Sequence, residues 1–222
     1  MKYRGVIFDL DGTLLDTIND ITTALNIVML RNGFRQYSVA ECQKMVGDGM
    51  EVLIKRAVPE IANEPEAISQ LIQQYREEYA RRWRQNSRPY PGIPEVLTRL
   101  RQAGSKTAVL SNKSHEFTEL MTKELLPFPF EVIRGARPGV PVKPDPLPAQ
   151  LVLEELKLKP FEVIYVGDTS VDMETAVAAG IFPAGALWGF REAKELIESG
   201  AQVLLKTPSD LLPLLLDEDK KS

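Results

Sequence analysis

Short apolar runs rich in β-branched residues alternate along this chain with longer helical patterns, and that alternation restricts the fold more than any other feature. The runs are GVIF (5–8), TAVLS (107–111), EVIRG (131–135), EVIYVG (162–167) and AGALW (184–188). Helical patterns separate the later ones at 94–103, 114–125, 146–157, 170–179 and 191–199, and Gly104, Gly180 and Gly200 follow three of these. Glycine just past a helix end is the expected stop, because it reaches a left-handed conformation without a Cβ clash. Strands alternating with helices of this length predict right-handed βαβ crossovers and a parallel sheet covered on both faces, an α/β core.

Residues 17–86 break the rhythm. They hold no convincing strand and read as helices at about 17–32, 39–46, 50–57 and 65–85. The second opens with Ser38-Val39-Ala40-Glu41, a capping box in which each side chain can satisfy an orphan amide. A run of helices placed after the first strand and closed by the turn-rich NSRPYPG predicts a separate helical lid. The expected division is therefore a core of 1–16 and 87–222 and an inserted helical domain of 17–86.

Composition excludes several classes. The 222 residues carry 27 basic and 31 acidic side chains, a net charge of −4, so no general attraction to nucleic acid or anionic membrane is expected. Cys42 is the single cysteine, which rules out an internal disulfide and suits a reducing cytoplasm, the expected location. The opening MKYRGVIFDL is too short an apolar run for a signal peptide, and the late DLLPLLLDEDKKS is too short to span a bilayer and contains Pro213.

In open parallel sheets, ligands bind beyond the carboxyl ends of the strands. Asp9, Asp11, Gly12 and Thr13 follow the first run, Ser111, Asn112 and Lys113 the second, VKPDP with Lys143 the third, and GDTSVD with Asp168 and Asp172 the fourth. Singly these are ordinary turn, cap and first-turn residues. Together they aim four sets of polar groups at one rim. Asp9, Asp11 and Asp168 offer hard oxygen ligands suited to Mg²⁺ rather than zinc, and a divalent cation would offset their mutual repulsion. One carboxylate can serve as nucleophile and another as proton donor. Lys143, the Ser111 hydroxyl and the Asn112 amide suit an anion. The set describes phosphoryl transfer through an aspartyl-phosphate, with a small phosphate ester as partner.

In this order, DLDGT, SN, KPDP and GDTSVD resemble the four motifs of the haloacid dehalogenase superfamily of phosphatases. The resemblance spans essentially the whole chain and implies a Rossmann-like core with a small α-helical cap. VGDGMEVLIKRAV, PYPGIPEVLTRLRQAG, LSNK and ALWGF are similar to the phosphoglycolate phosphatase branch. It implies Asp9 as nucleophile and Asp11 as the acid that protonates the leaving oxygen and then activates water. Mg²⁺ would sit on the side chains of Asp9 and Asp168 and the main-chain carbonyl of Asp11. Ser111, Asn112 and Lys143 would hold the phosphoryl group, Asp172 would act through water or by orienting Lys143, and Gly12 and Thr13 would shape the nucleophile loop.

Asp48, between Gly47 and Gly49, departs from that branch, where a neutral residue is expected. An acid there would disfavour a substrate with a carboxylate beside its phosphate, unless Asp48 caps the helix beginning at Met50. His115 reads as a first-turn surface histidine and Cys42 as a residue of the helical insertion. Lys113 and Arg191 read equally as pocket residues or as solvated loop charges. A signalling receiver domain gathers similar residues in a different order along the strands, and a dehalogenase lacks the second acid of the first motif. A non-catalytic phosphate-binding protein would not retain both Asp9 and Asp11. A phosphosugar mutase or pyrophosphatase could use the same core, although Thr13 after Gly12 favours hydrolysis. Oligomeric state is left open.

Overall fold

A computed structural model of the protein describes residues 3–215, so residues 216–222 of the late apolar stretch lie outside it. In chain order the elements are β1 (Gly5–Phe8), β2 (Leu15–Asp16), α1 (Ile18–Arg31), α2 (Val39–Met45), α3 (Met50–Ala57), α4 (Pro65–Arg82) and β3 (Arg88–Pro89). There follow α5 (Ile93–Gln102), β4 (Lys106–Ser114), α6 (His115–Leu125), β5 (Val132–Ala136), α7 (Leu147–Leu156) and β6 (Val163–Gly167). The last are α8 (Ser170–Ala178), β7 (Phe182–Ala186), α9 (Ala193–Glu198), β8 (Val203–Leu205) and α10 (Leu212–Leu215). The described residues divide into two compact units, one of residues 3–15 and 89–215 and one of residues 16–88. Among the described residues no helix is long and apolar enough to cross a membrane.

The first unit is an α/β layered structure. Its sheet runs in the order β5-β4-β1-β6-β7-β8, and every pairing is parallel. β1 and β6 are buried along their whole length, which is why they read as continuous apolar runs rather than alternating ones. Ile7, Ala108, Leu110 and Tyr165 from the strands pack with Val152 and Leu156 of α7 and Ala176 of α8. The register Phe8↔Val109 and Phe8↔Val166 brings the carboxyl ends of β1 and β6 to the same edge, and β4 runs on past them to Ser114. The chain winds outward from β1 through β4 to β5, then returns to β6 and winds the other way. That reversal is where such sheets open a crevice.

Two features differ from the expected pattern. The last run was expected at 184–188, but β7 begins at Phe182 and includes Pro183. Pro183 is tolerated because its carbonyl accepts from Gln202 on the β8 side, where β8 itself starts only opposite Ala184. A missing N–H on that side breaks no ladder bond. β8, three residues at the sheet edge, was too short to be read from its pattern.

The second unit is helical. Buried Ile18, Ile21, Leu25 and Val28 form one stripe of α1, and Ile68, Leu71, Tyr75 and Tyr79 one stripe of α4. These two helices pack on each other. The capping box of α2 is present, with Ser38 Oγ accepting from the Glu41 N–H and the Glu41 carboxylate accepting from the Ser38 N–H. Cys42 is buried, and burial raises its thiol above the ordinary value. Asp20, also buried, accepts from the backbone N–H groups of Asn86 and Ser87 and from both of their side chains. It thereby fastens the start of α1 to the segment that leads out of the unit.

Candidate active site

The end of β1 turns sharply. The Asp9 N–H still donates to Val166 O, continuing the ladder, and then Leu10 O accepts from the N–H groups of Thr13, Leu14 and Leu15. Gly12 makes the turn possible. Its φ is 86°, and a Cβ there would lie 2.2 Å from Asp168 Oδ2, so any larger residue would strain the backbone and collide with a carboxylate.

At the centre of the rim is Lys143. Its side chain is 2% exposed, and Nζ donates to Asp9 Oδ1 at 2.8 Å, to Asp172 Oδ1 at 2.6 Å and to Leu110 O at 3.2 Å. Asp172 Oδ2 meanwhile closes the capping box of α8 by accepting from the Thr169 N–H and hydroxyl. Both oxygens of Asp172 are therefore engaged, one on Lys143 and one on its own helix. Asn112 braces the same lysine from behind: its amide donates to Lys143 O and accepts from the Lys143 N–H. Asp168 accepts from the Thr13 hydroxyl at 2.9 Å and from the Phe190 N–H at 2.8 Å.

This is a crowded, desolvated set of acids. Oxygens of Asp9, Asp168 and Asp172 all lie within 4.8 Å of one another, and all three residues are buried. Burial pushes the Asp9 carboxyl up to about 7, against the pull of Lys143 and with the help of Asp172. Burial and the charges of Asp172 and Asp9 also raise Asp168 well above the carboxylate range. Burial alone would lower Lys143, but Asp172 and Asp9 overcome it and hold the lysine protonated. One lysine faces three carboxylates. The excess negative charge and the hard oxygen donors fit a divalent cation, to which Asp9 and Asp168 have more to offer than the doubly engaged Asp172.

Asp11 points to a different partner. Both of its oxygens accept from Lys113 Nζ, at 2.8 and 3.1 Å. β4 extends past the expected 107–111 to Ser114, with a register irregularity between Leu110 and Ser114, so Asn112 and Lys113 lie in a distorted strand end rather than a loop. Lys113 is 10% exposed in its side chain and is not a solvated loop charge. Ser111 is buried beside it, its Oγ accepting from the Lys113 N–H.

Other residues fall elsewhere. His115 opens α6, where Nδ1 accepts from the Gly135 N–H and Nε2 meets Arg137, and burial together with that arginine lowers its pKa. Arg191 pairs with Glu195. Asp48 does not cap α3, whose N-cap is Gly49 with no side-chain bond; its Oδ2 instead accepts from Arg56 at 2.6 Å, within the helical unit. The segment after β7 is a contributor that the motif reading missed. Gly189 passes so close that a Cβ would sit 2.2 Å from that of Asp168, Phe190 bonds Asp168, and Trp188 Nε1 donates to Thr13 O. The available signal was a glycine a few residues past a strand end, as at Gly12.

Residues 6–186 match the family model of the haloacid dehalogenase-like hydrolases. The chain belongs to that family. It is 33% identical over 213 residues to a phosphoglycolate phosphatase of Aquifex aeolicus, with 96% of each chain covered. It is 29% identical over 224 residues to an N-acetylmuramic acid 6-phosphate phosphatase of Pseudomonas aeruginosa, covering 97% of this chain and 96% of that one. A crystallised candidate phosphoglycolate phosphatase from Lactobacillus delbrueckii subsp. bulgaricus superposes with a TM-score of 0.92 at 30% identity, over 98% of this chain and 100% of that one. The haloacid dehalogenase fold is thus shared across nearly the full length.

Proposed function

We propose that the protein is a Mg²⁺-dependent phosphomonoester hydrolase that works through an aspartyl-phosphate on Asp9, with phosphoglycolate as its leading substrate. The observation that carries this reading is Lys143, clamped between Asp9 and Asp172 at the carboxyl edge of the sheet with Asp168 alongside. A buried ammonium touching a buried carboxylate is the arrangement needed to bring a dianionic phosphoryl group up to a negatively charged nucleophile.

Asp9 would attack phosphorus through Oδ2, the oxygen not held by Lys143. As that bond forms, the bond from phosphorus to the ester oxygen breaks, and Asp11 delivers a proton to the departing alkoxide. Asp11, now ionised, then takes a proton from a water whose oxygen attacks the same phosphorus. Inorganic phosphate leaves and the Asp9 carboxylate is restored. Lys143, the Ser111 hydroxyl and the Asn112 main-chain N–H would hold the phosphoryl oxygens. The Thr13 hydroxyl orients Asp168, and Asp172 positions Lys143. Asp9 and Asp168, with the main-chain carbonyl of Asp11, would hold Mg²⁺, which when bound supplies charge neutralisation for the phosphoryl oxygens.

The helical unit would serve as a cap, and the setting would be a cytoplasm supplying small phosphate esters rather than nucleic acid or membrane. The test is a panel of esters (phosphoglycolate, N-acetylmuramic acid 6-phosphate, hexose phosphates, nucleotides and pyrophosphate) ranked by kcat/KM with Mg²⁺ and again in EDTA. Release of phosphate that depends on Mg²⁺ and is lost in Asp9→Asn is the expected result. Turnover that survives in EDTA or in Asp9→Asn would contradict it.

A further inference from the structure

Lys113 has no task in that scheme, yet it is nearly buried and spends its ammonium on both oxygens of Asp11. We infer that Lys113 is a specificity-determining residue that reads an anionic substituent on the leaving group, its ammonium exchanging from Asp11 to that substituent. The inference rests on the phosphomonoester reading above and names the residue that would select among esters.

The distances support the exchange. To take a proton, the ester oxygen must come within about 2.6–3.2 Å of an Asp11 carboxylate oxygen. Lys113 Nζ lies 2.8 and 3.1 Å from those same oxygens, and the one that carries the proton and donates it to the ester oxygen must turn away from the ammonium. A carboxylate one carbon away from the ester oxygen falls within reach of the long, rotatable lysine side chain without backbone movement.

Energetics gives the exchange a direction. An ammonium displaced from Asp11 in a partly desolvated site needs a new acceptor, and a neutral leaving group supplies none. An anionic one does. The rest of the rim repels such an anion, since Asp9, Asp168 and Asp172 outnumber Lys143, which is itself committed to Asp9, Asp172 and Leu110 O. The blander reading is that Lys113 only holds Asp11 in place. In that case its loss would weaken the handling of charged and neutral leaving groups alike.

The experiment uses the full chain with saturating Mg²⁺, as wild type, Lys113→Met, Lys113→Gln and Lys113→Arg, each checked for folding by circular dichroism. One arm compares kcat/KM for phosphoglycolate and ethyl phosphate. The other measures calorimetric binding of 3-phosphonopropionate against propylphosphonate, a pair that cannot turn over. The wild type is expected to favour the carboxylated member of each pair by about 10–100-fold, the weight of a charge-assisted hydrogen bond. Lys113→Met and Lys113→Gln are expected to bring both ratios to within about threefold of unity, and Lys113→Arg to keep most of the preference. Equal losses for both members of a pair, leaving the ratios as in the wild type, would overturn the inference in favour of the holding role. If no ester is hydrolysed by the wild type, the proposed function fails, and the phosphonate ratios still decide the role of Lys113.

Discussion

Replacing Lys143 by methionine tests the electrostatic arrangement at the rim, because the side chain is nearly isosteric and only the charge and its three hydrogen bonds go. The lysine is 2% exposed and bridges Asp9 and Asp172 at 2.8 and 2.6 Å. Removing one partner of a buried ion pair costs about 3–5 kcal/mol, since the remaining charge stays buried and uncompensated. For a chain of this size each kcal/mol moves the thermal midpoint by about 2–4 °C, so the variant should melt about 6–20 °C lower in EDTA at neutral pH. The loss should depend on pH with a definite sign. Asp9 sits at about 7, above its unfolded value of 3.8, so its ionisation penalises the fold as pH rises between those values. Without Lys143 that value moves higher still. Below about pH 7 Asp9 stays protonated in both folded proteins and its penalty is common to them, so the deficit should be level up to about pH 7 and grow as pH rises above it, which melting curves from about pH 5 to about pH 9 would record. A midpoint shift below about 2 °C at neutral pH, or one that does not vary with pH, would refute the reasoning.

Gly12→Ala forces a Cβ to within 2.2 Å of Asp168 Oδ2 at a positive φ, and should weaken Mg²⁺ binding measured by calorimetry as well as lowering the melting point. Asp20→Ala leaves the N–H groups of Asn86 and Ser87 without their buried acceptor, which should cost about 1–3 kcal/mol and speed hydrogen exchange at those two amides. Asp11→Asn should slow phosphorylation by roughly 10²–10⁴ with an alkyl ester and by much less with nitrophenyl phosphate, whose leaving group scarcely needs a proton; stopped-flow comparison of the two decides it. His115 has a pKa lowered below its ordinary 6.5, so it contributes stability above that pH that is lost as pH falls through its folded value. His115→Gln should therefore flatten the acid side of the stability profile below about pH 6.5.

The polar clusters at strand ends were legible because each follows an apolar run short enough to be a strand, and a parallel sheet sends all such ends to one edge. Asp9, Lys143, Asp168 and Asp172 could thus be grouped without knowing a single distance. Pairings between remote residues were not legible. Lys113 and Asp11 are 102 residues apart, and nothing local distinguishes a lysine that meets a carboxylate from one in solvent. Asn112 was expected to face phosphate through its amide, but that amide is spent on the main chain of Lys143, a bond that depends on how the strand end is distorted. The close approach of Gly189 to Asp168 was hidden for the same reason, since a glycine after a strand looks like any other turn. The start of β7 at Phe182 lies before the expected run, and the sheet accommodates Pro183 there because its neighbour begins one residue later.

The central claim is that Asp9 carries the phosphoryl group during turnover. Mixing the Mg²⁺-loaded protein with a rapidly reacting aryl phosphate, quenching in acid within milliseconds and reducing with borohydride would mark an acyl phosphate at the modified residue, to be located by peptide mass spectrometry. The account predicts modification at Asp9 alone in the wild type, accumulation of the same adduct in Asp11→Asn because its water step is impaired, and none in Asp9→Asn. A phosphoryl group found on Asp11, Asp168 or Ser111, or steady turnover with no adduct trapped in Asp11→Asn, would contradict it.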